Sequence, residues 1–172
     1  TGQSGAADWL DGVVTAGEGE KDPRCLLQYL RILLHALSVF EGFIANSAQG
    51  SVGCRRRVFN AVACYFPITF THPEDDTFGV TTSMLVEALQ DVLCDASMLE
   101  LSVPFLLDQL EDGSLQVGIQ HSLCAMERIV QLHGLKQHHV LDILPEFVPK
   151  LYDLAVDVSP DASNEVSQRT VL

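Results

Sequence analysis

The sequence predicts an all-α chain, a right-handed α-solenoid of stacked antiparallel helix pairs, and three observations carry that reading. Apolar residues recur three and four positions apart in segment after segment, the period of a helix with one buried face. No two stretches alternate as paired strands would. And one pattern returns: Val103-Pro104-x-Leu106-Leu107-x-x-Leu110 is echoed by Leu144-Pro145-x-Phe147-Val148-x-x-Leu151, with the two prolines 41 residues apart. That offset falls within the roughly 40–47-residue period of HEAT-type helix pairs.

The elements follow in order. Residues 1–22 hold five acids, one base and several glycines, and read as a flexible acidic N-terminal tail. Asp22-Pro23 is a helix entry, a carboxylate that can cap followed by the one residue whose missing N–H costs nothing in the first turn. Leu26, Leu30, Leu33 and Leu37 then form a stripe widened by Leu27 and Leu34, with Arg24, Gln28, Arg31, His35 and Ser38 opposite, so a helix is expected to about Phe43. Asn46–Gly53 is small and polar and reads as a loop. Val58, Phe59, Val62 and Phe66 face inward from a second helix that ends at Pro67.

Residues 67–80 contain Pro67, Pro73 and Gly79 and are expected to be non-helical. Thr81 caps a third helix with Met84, Leu85, Ala88, Leu89, Val92 and Leu93 inward. A fourth begins near Met98 or Pro104 and stops at Asp112-Gly113. Ser114 opens a fifth, with Leu115, Ile119, Leu123, Met126 and Val130 inward and Gly134 as its C-cap. The last helical stretch runs from Val140 to about Val156, notched by Pro145 and Pro149. The resulting organisation is a HEAT-repeat segment of three to four helix pairs over 23–156 and a polar linker or tail over 157–172. Because the chain opens at Thr1 and stops in polar sequence, it reads as a segment of a longer protein.

Composition narrows the function. With 47% hydrophobic residues the chain can build a core, and with 23 acids against 10 bases its net charge is −13. Direct nucleic-acid binding needs a surplus of Lys and Arg on one face and is not expected. Nor is a membrane role, since no stretch approaches the roughly 18 apolar residues of a span. Between Arg57 and Arg128 there is no Lys or Arg at all, while ten acids fall between Glu74 and Asp112. Such an asymmetry either keeps a hydrophobic rod soluble or presents a surface to a basic partner. The five cysteines, Cys25, Cys54, Cys64, Cys94 and Cys124, are odd in number and lack a C-x-x-C. They form neither a disulfide framework nor a zinc knuckle. Cys25, Cys64, Cys94 and Cys124 sit in helical apolar context and are expected to be buried, which suits a reducing compartment.

A search for chemistry finds little. There is no H-E-x-x-H, no phosphate-cradling loop closed by Lys, and Gly50-Ser51-Val52-Gly53 places its glycines wrongly for a nucleophile elbow. His133, His138 and His139 with Asp142 offer too few ligands in register for a metal. Glu74, Asp75 and Asp76 lie in a Pro-rich loop without a basic partner and read as a solvated turn. Arg55-Arg56-Arg57 reads as an exposed basic face, a spot where an anionic group could dock. No catalytic, cofactor-binding or metal residue is expected, and the chain does not read as an enzyme.

The run Cys64-Tyr65-Phe66-Pro67-Ile68-Thr69-Phe70-Thr71-His72-Pro73-Glu74-Asp75-Asp76-Thr77-Phe78-Gly79-Val80-Thr81 closely resembles the signature loop of the MMS-nineteen nucleotide excision repair protein family. Glu20-Lys21-Asp22-Pro23-Arg24 before the Leu-rich helix and Leu106-Leu107-Asp108-Gln109-Leu110 before Ser114 are similar to its N-terminal region. Thr69, His72, Glu74 and Thr77 depart from the family's loop pattern, and Ser47–Gly53 resembles a local insertion. The resemblance implies a non-catalytic HEAT-repeat adaptor of cytosolic iron–sulfur assembly. Its partners would be assembly components and apo iron–sulfur client proteins of DNA repair, replication and transcription, in cytoplasm and nucleus. A generic HEAT or armadillo scaffold, such as a transport receptor or transcription-complex subunit, shares the architecture without the loop. Within the loop, Tyr65, Phe66, Pro67, Ile68 and Phe70 either plug the groove between adjacent helix pairs or serve recognition, with Asp75 and Asp76 at the exposed tip.

Overall fold

The computed structural model describes residues 2–39, 50–69, 79–112 and 116–134, together with Pro145, Val148, Pro149 and Tyr152. All regular structure among the described residues is helical: α1 (Gly2–Gly17), α2 (Pro23–Val39), α3 (Gly50–Ala63), α4 (Thr82–Leu93), α5 (Leu99–Asp112) and α6 (Gln116–His133). All six lie in one compact unit, Thr1–His133, separate from a second unit, Gly134–Leu172. Of the expected last helix, only Pro145, Val148, Pro149 and Tyr152 are described, each with helical backbone; the rest of it and the 157–172 tail lie outside the described residues.

Local chemistry sets the boundaries. At the start of α2 the Asp22 carboxylate accepts the Arg24 backbone N–H at 2.9 Å and is clasped by the same residue's guanidinium. That side-chain bond, and then the backbone one, hold the Asp22 carboxyl well below the usual carboxylate range. Thr81 caps α4 as expected, its hydroxyl accepting from Met84 N–H at 3.3 Å. Cys94 closes that helix, and Asp95 accepts from the Ser97 N–H and hydroxyl at 2.9 and 2.6 Å to turn the chain into α5. Pro104 lies inside α5 on its exposed side. Gly134, at φ +63°, follows α6 as the expected glycine stop.

The helices pack in two alternating rows. α1 packs on α3 and α3 on α5, while α2 packs on α4 and α4 on α6; α1 meets α2, α3 meets α4 and α5 meets α6 across the rows. Three pairs are thus stacked side by side. Leu30, Leu33 and Leu37 of α2, Val58 and Val62 of α3, and Leu85, Leu89 and Leu93 of α4 are almost wholly buried between the rows. Polar bridges tie neighbours within each row. In the odd row Arg57 pairs with Asp11, and Arg55 reaches Glu100 at 3.2 Å and the Ser97 carbonyl at 3.5 Å. In the even row Arg128 pairs with Asp91, Gln90 donates to the His121 carbonyl, and His133 Nε2 lies 2.7 Å from the Cys94 carbonyl. Burial lifts the Asp91 carboxyl above its ordinary value despite the guanidinium beside it.

Five expectations are corrected. Residues 2–17 are helix rather than flexible tail, because Leu10, Val14 and Gly17 fall on one face and are buried, the two side chains only 2% exposed. The turn after it is ordered as well: Glu20 accepts from the N–H groups of Lys21 and Asp22, and Gly19 takes φ +73°. Gly50–Gly53 is the first turn of α3 rather than loop; residues 46–49 lie outside the described residues. On α6 the buried stripe is Gly118, Ser122, Ala125, Met126 and Ile129, rotated from the expected one, because small residues let the helix sit close while Ile119, Leu123 and Val130 flank the contact. Only Cys94 among the cysteines is buried, its thiol pushed up to about 12 by desolvation; Cys25, Cys64 and Cys124 are exposed. Arg55 is half-buried and turned to Glu100 of α5, while Arg56 and Arg57 are exposed, Arg57 pairing with Asp11.

Two glycines of α1 separate packing from propensity. A Cβ on Gly17 would lie 2.1 Å from the Tyr29 ring, whereas one on Gly12 meets nothing within 4 Å. Gly17→Ala is expected to destabilise the chain by about 1–3 kcal/mol through overpacking. Gly12→Ala is expected to stabilise it by up to about 1 kcal/mol through helix propensity. Urea unfolding of the two variants beside the parent checks both signs.

Candidate functional site

The segment singled out by sequence begins where α3 ends. Cys64 N–H still bonds to Asn60, but Tyr65 and Phe66 bond back three residues, to Val62 and Ala63, both at 3.0 Å. This tightened last turn precedes Pro67, joined through a cis peptide. The tightening throws consecutive side chains to different neighbours.

Tyr65 turns back to the first helix pair, its hydroxyl donating to the Gly17 carbonyl at 2.8 Å. From α2, the Tyr29 hydroxyl donates to the Val14 carbonyl at 3.3 Å. Two phenols from separate helices therefore satisfy two of the four terminal carbonyls that α1 cannot bond internally. Burial pushes both phenols up from their ordinary values. Phe66 turns the other way, its ring set edge-on to Phe105 of α5 at 5.4 Å and against His121 of α6 at 6.1 Å. Phe59 of α3 meets the same Phe105 ring at 5.5 Å. Ile68 is buried and Thr69 exposed. Residues Tyr65–Ile68 thus touch the first and last pairs of the stack from the middle one.

Beside them lies a groove of about 370 Å³ whose walls include Pro23, Leu26, Cys64, Pro67, Ile68 and Leu85. Cys64, although exposed, donates its thiol to the Ala61 carbonyl, and partial desolvation of the sulfur raises its pKa. A thiol held in that state is a weak nucleophile. Phe70, Asp75 and Asp76 lie outside the described residues, as do Glu74, His138, His139 and Asp142. Among the described residues no group of three His, Cys, Asp or Glu side chains is placed to hold a metal ion, and no helix is long and apolar enough to cross a membrane. The partners of the segment, Gly17, Phe105 and His121, were not singled out from sequence. Their signals were weak ones, a glycine at a helix end and lone aromatics on helical faces.

Comparison with known proteins places this geometry in context. Residues 2–149 match the MMS19 N-terminal family, described as a Dos2-interacting transcription regulator of RNA-Pol-II. The chain is 31% identical over 147 residues to the MMS19 nucleotide excision repair protein homolog of Xenopus laevis. It is 29% identical over 147 residues to that of Homo sapiens, and each match covers 85% of this chain. It is 30% identical over 115 residues, 64% of the chain, to the DNA repair/transcription protein mms19 of Schizosaccharomyces pombe. The chain spans 13%, 13% and 10% of these three relatives. No solved structure matches it.

Removing the Tyr65 hydroxyl leaves the Gly17 carbonyl with the Glu20 N–H at 3.3 Å as its donor, so Tyr65→Phe is expected to cost about 0.5–1 kcal/mol. Phe66→Ala, which deletes the contact with two helices, is expected to cost more, about 2–4 kcal/mol; denaturant titration ranks the pair. His121 adds a pH dependence. Burial lowers its pKa from the ordinary 6.5, so the folded chain binds fewer protons than the unfolded one below that value. The stability it contributes is whole above pH 6.5 and declines as pH falls toward the folded pKa. A pH series of unfolding midpoints is expected to be flatter below 6.5 in His121→Gln than in the parent.

Proposed function

This chain belongs to the MMS19 family, as part of its N-terminal region, and from that premise we propose that it is a non-catalytic arm of an adaptor. In this reading the paired helices continue along the longer protein as a right-handed α-solenoid of HEAT-type pairs. The whole protein brings apo iron–sulfur proteins to the machinery that supplies their clusters, in cytoplasm and nucleus. The family match across residues 2–149 carries the reading. The names of the relatives, which speak of nucleotide excision repair, DNA repair and transcription, suit clients of that kind.

Two physical features support it. A row of stacked pairs offers extended surface, which suits docking of large partners better than turnover of small ones. The charge is also suited: Arg24, Arg55, Arg57 and Arg128 all pair with carboxylates of the chain itself. The unpaired excess of acid complements the basic surfaces of nucleic-acid enzymes that are off their substrate. Tyr65–Ile68 brace the three pairs in this reading, and Phe70, Asp75 and Asp76 belong to the part of the loop available for recognition. In this reading the chain carries neither a cluster nor a metal of its own.

The test is an affinity capture from cell extract with the full-length parent and with this segment deleted, read by mass spectrometry. Apo iron–sulfur helicases and polymerases are expected to drop out on deletion while the assembly components stay. Retention of both groups would make the segment architectural. Capture of neither group by the parent, with nuclear-transport or transcription-complex subunits in their place, would favour a general scaffold.

A further inference from the structure

A hydroxyl followed three residues later by a carboxylate is the pattern read by acid-directed protein kinases, whose basic substrate grooves hold that acid. Among the described hydroxyl residues it occurs at Thr15 with Glu18, Ser38 with Glu41, and Ser97 with Glu100. The fold separates the three. The Ser38 hydroxyl donates to the His35 carbonyl at 2.7 Å. The Ser97 hydroxyl donates to Asp95 at 2.6 Å, and its acid, Glu100, is taken by Arg55. Thr15 differs on both counts. It is exposed, its hydroxyl has no hydrogen-bond partner among the described residues, and Glu18 is exposed after it, with Glu20 two residues further on.

Position favours it as well. Thr15 lies in the last turn of α1, and the chain leaves through Gly17 and Gly19. The bonds that close this end are long ones, Glu18 N–H to the Thr15 carbonyl at 3.4 Å and Glu20 N–H to the Gly17 carbonyl at 3.3 Å. A helix end held in this way opens more readily than a helix centre, and a kinase takes its substrate extended. We propose that Thr15 is a phosphorylation site for an acid-directed serine/threonine kinase, and that its phosphate loosens the end of α1 to which Tyr29 and Tyr65 are bonded. In the transfer the Thr15 Oγ forms a bond to the γ-phosphorus of ATP while the bond to the β,γ-bridging oxygen breaks. ADP leaves, and the kinase takes the hydroxyl proton. The product sets about two negative charges at the negative end of the helix dipole, between Asp11 one turn before and Glu18 three residues after. Asp11 already holds Arg57.

The test uses the full-length parent, incubated with an acid-directed kinase and ATP and mapped by tandem mass spectrometry. Phosphate is expected on Thr15, about tenfold less of it in Glu18→Gln, and none at this position in Thr15→Ala. Both substitutions change exposed side chains, so the core stays as it is. Hydrogen exchange at residues 14–17 and at Tyr65–Ile68 is expected to quicken about fivefold on phosphorylation, and to stay at the parent rate in Thr15→Ala treated alike. A Thr15 left unmodified overturns the site. So does phosphate that enters Glu18→Gln as readily as the parent, because the acid then directs nothing. Exchange that is unchanged or slower in the modified protein overturns the loosening; slower exchange is the mark of a phosphate that has drawn Arg57 from Asp11.

Discussion

The end of α1 is the constraint on which the arrangement turns. A helix terminus leaves carbonyls that must find donors, and this one finds two in phenols from elsewhere in the chain, Tyr29 from α2 and Tyr65 from the end of α3. The first needs the helix to finish in a residue without a side chain. The Tyr29 ring lies over Gly17 where a Cβ would be, and the Tyr65 hydroxyl bonds that glycine's carbonyl. One glycine therefore sets how closely α1 and α2 pack and where the chain leaving α3 must pass. From that fixed point Phe66 is carried toward Phe105 and His121, so the position of the third pair is tied to the first.

Beyond that point the two rows are held by different means. Between rows the contact is Leu, Val and Ile, dense and non-directional, which gives cohesion but little register. Within rows, ion pairs and hydrogen bonds join α1 to α3, α3 to α5 and α4 to α6 at single positions. Such bonds contribute little cohesion when half-exposed, but a pairing that works at one position only selects one helix offset among several. A stack of similar pairs has need of that selection, because apolar ridges alone would let one pair slide on the next.

The sequence was legible where a boundary signal and a strong stripe coincided. Asp22-Pro23 and Thr81 each announce a helix start, and the Leu-rich faces of α2 and α4 emerge buried as read. The α1 stripe was as regular, with Leu10, Val14 and Gly17 in phase, but glycines and acids around it mimic the composition of a tail. The start of α3 was hidden by glycine and serine for the same reason. The face of α6 was misplaced because large apolar residues mark its margins and Gly118, Ser122 and Ala125 mark its centre. In the candidate site the chain order pointed to Tyr65, Phe66, Pro67 and Ile68 and could not point to what they touch. Gly17 and Phe105 lie about forty or more residues away on either side, and only the packing of pairs brings them to one place.

The charge economy of the fold links these contacts to function. Among the described residues, four Arg side chains pair with acids of the same chain: Arg24 at a helix start, and Arg55, Arg57 and Arg128 between helices. Each such pair sets one base against one acid in a half-exposed place, so the excess of acid is carried by the residues that remain. The outer face of α2 is the exception. Arg31 and His35 stand exposed on a helix with no carboxylate of its own.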